Sequence, residues 1–135
     1  LDLVVLMLGT NDFQSMHEYN AWHSSQGISA LVSAIRTAPI EPGMPMPQIL
    51  VVAPPAIRMP KGPIAPKFEG GETKCIGLSA AYQLVCEEVD CHFFDAGSVI
   101  TSSNVDGVHL DLEQHWALGN AVAEVVQPLL SRNVL

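Results

Sequence analysis

Leu3 to Leu8 is an unbroken apolar run that stops at Gly9, and Ile49 to Ala53 is a second, stopped by Pro54 and Pro55. Short apolar runs without alternation mark strands buried on both faces, as in parallel sheets. His92-Phe93-Phe94, ending at Asp95, makes a third, shorter strand. Between the strands the period changes. Ile28, Leu31, Val32 and Ile35 recur at helical spacing and predict a helix over 27–37, with Ser24 and Ser25 as N-cap candidates. Residues 72–89 read as a second helix through Ile76, Leu78, Tyr82, Leu84 and Val85. Residues 112–131 read as a third, with Trp116, Val122, Val125, Val126 and Leu129 as its apolar stripe. Asp111 is its expected N-cap, and Gln114 completes a capping-box-like pair.

The remaining stretches are polar or broken by proline. Residues 13–26, with His17, Tyr19, Trp22 and His23, predict a loop with a helical turn at most. Pro39, Pro42, Gly43, Pro45 and Pro47 form a stiff surface loop. Residues 56–71 carry prolines at 60, 63 and 66 and read as a long irregular insertion. A loop of that length in a compact domain is usually a lid or a binding wall. The order strand, helix, strand, helix, strand, helix predicts one α/β domain over 1–135, with right-handed crossovers and helices on both faces of a parallel sheet. Ligands of such sheets bind beyond the carboxyl ends of the strands. Thr10, Asn11 and Asp12 follow one such end, and the 56–71 insertion follows another.

Composition narrows the partners. The net charge is -8, and the six basic residues are scattered. That excludes nucleic acid and anionic membranes as partners, both of which need clustered Lys and Arg. No apolar run approaches the roughly 20 residues that span a bilayer. Of the three cysteines, Cys75 and Cys86 fall on one expected helix, roughly 16 Å apart at about 1.5 Å per residue, too far to bridge. Three free thiols in a reducing compartment are expected. The chain opens at Leu1, already inside an apolar run, so an N-terminal truncation is expected.

Two clusters carry chemistry. Asp106 stands three residues before His109, in a turn ahead of the last helix. A carboxylate bonded to one imidazole nitrogen fixes the tautomer and leaves the other nitrogen free to take a proton. Asn11, just past a buried strand, can offer its amide N–H to a developing oxyanion; a lone Asn there can equally be a turn residue. Asp12 is expected to bond loop backbone. Ser79, Ser98, Ser102 and Ser103 are candidate nucleophiles by position, but none stands in a Gly-x-Ser-x-Gly elbow. His109, Asp111 and His115, with His17 or His23, match no strong metal-ligand spacing. Trp22, Trp116 and the methionines at 44, 46 and 59 are expected to pack, with the methionines also candidates for an acyl pocket.

These residues also carry a family resemblance. Gly9-Thr10-Asn11-Asp12 resembles the third conserved block of the SGNH (GDSL-type) hydrolases, and Asp106-Gly107-Val108-His109 resembles the fifth. Phe68-Glu69-Gly70-Gly71-Glu72 and Phe93-Phe94-Asp95-Ala96-Gly97-Ser98-Val99-Ile100 resemble the bacterial arylesterase branch. The resemblance implies a three-layer α/β/α, flavodoxin-like fold with parallel strand order 2-1-3-4-5. It also implies that 1–135 is the C-terminal two thirds of one such domain, lacking the first two strands. The family's Gly-Asp-Ser block, which holds its nucleophile, does not occur here, nor does the second block that completes the oxyanion hole. Leu3 to Leu8 would then be an uncovered sheet edge, a pairing hazard.

Carried over residue by residue, the resemblance makes His109 the general base, Asp106 its orienting acid and Asn11 an oxyanion donor. The expected activity is hydrolysis of short acyl esters through an acyl-enzyme intermediate, with no cofactor and no metal. Acyl transfer to alcohols or peroxide is equally allowed, and a homo-oligomer is left open. The acidic, cysteine-poor composition and the resemblance favour a cytoplasmic enzyme. The competing reading is a non-catalytic flavodoxin-like binding or interaction module, because fold does not fix function.

Overall fold

The computed structural model describes residues 1–38 and 42–131; Pro39 of the expected proline loop lies outside them. Three strands, β1 (Leu3–Leu6), β2 (Gln48–Ala53) and β3 (His92–Asp95), form one parallel sheet in the order β1-β2-β3. Leu50 lies opposite Val5 on one side and His92 on the other, so β2 is central. That is why its apolar run is unbroken: Leu50 to Ala53 are all fully buried. Successive side chains point to opposite faces. Ile49, Val51 and Ala53 feed one core, with Ile28, Val32, Tyr82 and Val85; Leu50 and Val52 feed the other, with Leu129 and Ile100. The expected α/β class and parallel sheet are what the structure has. Among the described residues β1 pairs only with β2, and Val5 is exposed.

The helices are α1 (Ala21–Thr37), α2 (Gly71–Lys74), α3 (Leu78–Glu88) and α4 (Leu112–Ser131). The helices depart from the expected pattern in three places. First, α1 begins at Ala21, not Gly27, because Asn20 and His23 form a reciprocal cap. The Asn20 side chain accepts from the His23 amide (3.1 Å), and the Asn20 amide donates to His23 Nδ1 (3.2 Å). Imidazole stands in for the usual Glu or Gln of a capping box. Ser24 and Ser25 are therefore buried inside the helix rather than capping it.

Second, the single helix expected over 72–89 is two helices. Gly77 takes φ +83 and separates them. The break turns Ile76 outward, and Leu84 is exposed as well, leaving Leu78, Tyr82, Val85 and Cys86 as the buried face of α3. Cys75 thus caps α2 while Cys86 lies in α3, and all three thiols are free.

Third, α4 has the expected bounds, and Val125, Val126 and Leu129 of the expected stripe pack on the sheet, but Trp116 and Val122 are not part of that face. Trp116 is exposed, and the residues packed on the sheet are Ala117, Leu118, Val125, Val126 and Leu129. Asp111 and Gln114 do not cap each other. Ser103 Oγ donates to Asp111 Oδ1 (2.7 Å), and the Thr101 amide donates to Gln114 Oε1 (2.8 Å), so both side chains tie the 101–103 loop to the helix start. Trp22, expected to pack, is also exposed. The 56–71 insertion is irregular except for a 3-10 turn at Gly62–Lys67. Among the described residues no helix is long and apolar enough to cross a membrane.

Candidate active site

The three strands deliver their carboxyl ends to one side, and both polar clusters gather there. After β1 the chain bends at Gly9, whose φ of +131 admits no ordinary side chain; a Cβ there would collide with Tyr82 Oη. A 3-10 turn, Thr10–Phe13, follows at once and presents Asn11. Beneath it runs a buried polar chain. Ser24 Oγ donates to Asp12 Oδ2 (2.7 Å) and meets Tyr82 Oη (2.7 Å), while Tyr82 donates to the Leu8 carbonyl (2.9 Å). Asp12 thus bonds a helix side chain, not the loop backbone that its sequence context suggested. The chain fastens the strand end to α1 and α3, which holds the Asn11 turn in place. Burial pushes the Tyr82 phenol up to about 12, so it stays a neutral donor.

The second cluster is a closed turn. Gly107 at φ +81 lets the backbone double back, and its amide donates to the Ser103 carbonyl (2.8 Å). The Ser103 amide donates to the His109 carbonyl (2.7 Å). From outside, the amides of Arg58 and Lys61 donate to the carbonyls of Gly107 (2.8 Å) and Asp106 (3.0 Å). The insertion is therefore a buttress for this turn as well as a wall of the cleft.

Inside the turn, Asp106 Oδ1 accepts the amides of Val108 (2.8 Å) and His109 (2.9 Å), and Oδ2 lies 2.6 Å from His109 Nδ1. Partial burial works against the charged carboxylate, but these two amides and the imidazole outweigh it and hold the Asp106 carboxyl below its ordinary value. An ionised carboxylate can only accept, so Nδ1 carries the proton. In the neutral ring Nε2 is then a bare acceptor, and among the described residues it has no protein partner.

Asn11 and His109 line one cleft of about 490 Å³, together with Met7, Pro55, Phe68 and His115. Asp106 stands behind His109 in the turn. All three residues singled out in the sequence are thus brought to one place. Other candidates are not. Ser98 Oγ donates to the Asp95 carbonyl, Ser102 Oγ to that of Ala56, and Ser103 Oγ to Asp111, while Ser79 lies in α3. Among the described residues no serine lines the cleft. Met44 and Met59 lie against other hollows, and the methionine in the cleft is Met7. The thiols offer no nucleophile either: burial pushes Cys86 up to about 11 and raises Cys75 and Cys91. Among the described residues no three His, Cys, Asp or Glu side chains converge on a metal-sized space. Asp111 is taken by Ser103, and His23 by its cap.

Sequence reasoning missed Gln14, whose Nε2 donates to Asn11 Oδ1 (2.9 Å), while Lys67 and Phe68 line the cleft from the insertion expected as a lid or wall. The Gln14 signal was its spacing of three from Asn11, which a 3-10 turn stacks on one side.

Solved structures resemble the chain over almost all of its length. A carbohydrate acetylesterase family member from Sinorhizobium meliloti is 37% identical with a TM-score of 0.89, covering 97% of this chain and 62% of its own. The M. smegmatis aryl esterase is 38% identical with a TM-score of 0.89, over 96% of this chain and 61% of its own. The chain resembles structural neighbours that are arylesterases and carbohydrate acetylesterases of SGNH (GDSL) type. A GDSL-like lipase from Bacteroides thetaiotaomicron, 16% identical with a TM-score of 0.68, shares the fold. No family model matches the chain, and no curated protein matches it either. The chain spans about three fifths of the length of the arylesterase-like structures it matches.

Proposed function

We propose that this chain supplies the base, its orienting acid and an oxyanion donor to a serine esterase acting on small acyl esters. The observation that carries the reading is a single one: His109, with Nδ1 bound to Asp106, shares a cleft with Asn11. The aryl esterase and carbohydrate acetylesterase relatives support aryl and acetyl esters as the substrate class. In this reading 1–135 is the C-terminal two thirds of one SGNH hydrolase domain. The nucleophilic serine then comes from a Gly-Asp-Ser block outside these residues.

The chemistry follows from the atoms available. The serine hydroxyl attacks the ester carbonyl carbon while His109 Nε2 takes its proton. The charge that appears on the carbonyl oxygen is met by Asn11 Nδ2–H and backbone amides. Asp106 remains ionised and stabilises the imidazolium through Nδ1–H. Collapse breaks the ester C–O bond, and the leaving alkoxide takes the proton back from Nε2. Water then attacks the acyl-serine with Nε2 again as base, releasing the acid. No step calls for a cofactor.

The test is hydrolysis of an aryl acetate by the full-length polypeptide carrying this chain, with fluorophosphonate labelling of the same protein. His109→Ala should lower kcat by several orders of magnitude and abolish labelling while leaving the fold intact. A His109→Ala variant with near wild-type turnover would sink the assignment. Labelling of a serine within 1–135 would overturn the placement of the nucleophile.

A further inference from the structure

We infer that Gln14 is a positioning residue for Asn11: it decides which end of the Asn11 amide faces the cleft. The inference rests on the esterase reading and adds a residue to it. An Asn side chain has two nearly isosteric faces, a carbonyl that accepts and an NH2 that donates. Only the second can serve a developing oxyanion, and the first would repel it. A freely rotating amide would present both.

In the structure the oxygen end of Asn11 is the end that Gln14 engages. Gln14 Nε2 donates to Asn11 Oδ1 at 2.9 Å, and among the described residues Asn11 Nδ2 has no protein partner. With its oxygen occupied, Asn11 keeps both Nδ2 protons free of protein partners, and Asn11 lines the cleft that also holds His109.

Gln14 is itself anchored. It follows the 3-10 turn directly, with extended backbone at φ -61 and ψ 152. Its carbonyl accepts from Lys74 Nζ (3.1 Å) and from the His17 amide (3.0 Å), and the next amide, of Ser15, donates to the Lys67 carbonyl (2.8 Å). The side chain therefore starts from a fixed Cα, tied to α2 and to the insertion. The Gln14–Asn11 bond itself is exposed and contributes little to the fold. Its effect is orientational.

Residues that only donate or only accept separate this role from a structural one. Gln14→Lys keeps a donor toward Oδ1. Gln14→Met keeps the length and removes the donor. Gln14→Glu offers only acceptors, so Asn11 must turn its NH2 outward and its oxygen into the cleft. Kinetics on an aryl acetate with the full-length protein should give Lys within about threefold of wild-type kcat. Met should fall roughly tenfold, and Glu by on the order of a hundredfold, the cost of one lost oxyanion donor. KM and melting temperature should stay near wild type in all three.

Wild-type kcat in the Glu variant overturns the inference. So does wild-type kcat in the Met variant, because a Glu defect would then be only the field of the new carboxylate. Equal losses in Lys and Glu overturn it too. Asn11→Ala in the same assay separates the two levels. If Asn11→Ala is impaired and the Gln14 series is flat, this inference fails alone. If Asn11→Ala is itself unimpaired, the oxyanion assignment fails first.

Discussion

Asp106 Oδ2 sits 2.6 Å from His109 Nδ1, and the other oxygen of the same carboxylate is held by the amides of Val108 and His109. One turn therefore sets the imidazole's angle and its tautomer. Asp106→Asn keeps the shape and reverses the proton. The new amide can present N–H to Nδ1, which moves the ring proton to Nε2 and leaves no base. In the full-length protein kcat for an aryl acetate should fall by on the order of 10³–10⁴, with KM little changed. A loss under about tenfold would mean that Asp106 does not orient the base.

The same carboxylate gives a pH signature. Its folded value is depressed by the two amides and the imidazole against an opposing contribution from burial. Above the ordinary carboxylate value both folded and unfolded forms are ionised, and the stabilisation is complete. As the pH falls through that value and on through the lower folded one, the stabilisation is lost. Urea midpoints of the wild type and Asp106→Asn should therefore differ most above the ordinary carboxylate value and converge as the pH falls below the depressed folded one. A gap that stays constant across that range would contradict the depressed value.

Much of this was legible in the chain, for stated reasons. A short unbroken apolar run favours a strand with cover on both faces, and Leu50 to Ala53 have that cover, whereas Val5 in the run of β1 does not. Asp106, His109 and Asn11 could be singled out because each belongs to a short local motif. What was hidden depended on geometry that residue type does not fix. The start of α1 rests on His23 acting as a cap partner, a role that its composition does not announce. The break before α3 rests on Gly77 taking a left-handed φ, whereas a glycine in a helical pattern is often merely tolerated. The polarity of Asn11 rests on Gln14, a contact visible only once the 3-10 turn is known.

Gly107 allows a direct test of the turn. Its φ of +81 is costly for any residue with a side chain, and a Cβ would lie 2.5 Å from the Met59 carbonyl oxygen and 3.2 Å from that of Arg58. Both obstacles are backbone, so neither can swing aside. Gly107→Ala should cost about 1–3 kcal/mol from the backbone strain alone, more with the clash. It should also lower kcat, because the Arg58 amide bonds the Gly107 carbonyl and any shift travels to Asp106 and His109. Denaturant unfolding checks the first effect. A fully stable Gly107→Ala variant would show that the turn can be rebuilt without a left-handed residue.

Tyr82 tests how the opposite side of the cleft is held. Its ring is fully buried, its hydroxyl donates to the Leu8 carbonyl at 2.9 Å, and it meets Ser24 Oγ at 2.7 Å. Tyr82→Phe leaves that carbonyl without its donor, at a cost of about 1–3 kcal/mol. The alkaline limb distinguishes this from simple loss of packing. Burial raises the phenol from 10.0 to about 12 in the folded state. The folded form thus holds its proton where the unfolded form has lost it, and stability is full below the ordinary value and falls as the pH rises toward the folded one. Wild-type stability should decline over that interval, while Tyr82→Phe, with no phenol to ionise, should decline less. The hydroxyl that Phe lacks is the atom that fills the space beside Gly9, so the Phe variant should also loosen the bend after β1. Parallel alkaline limbs in the two proteins would mean that the buried phenol does not couple to folding.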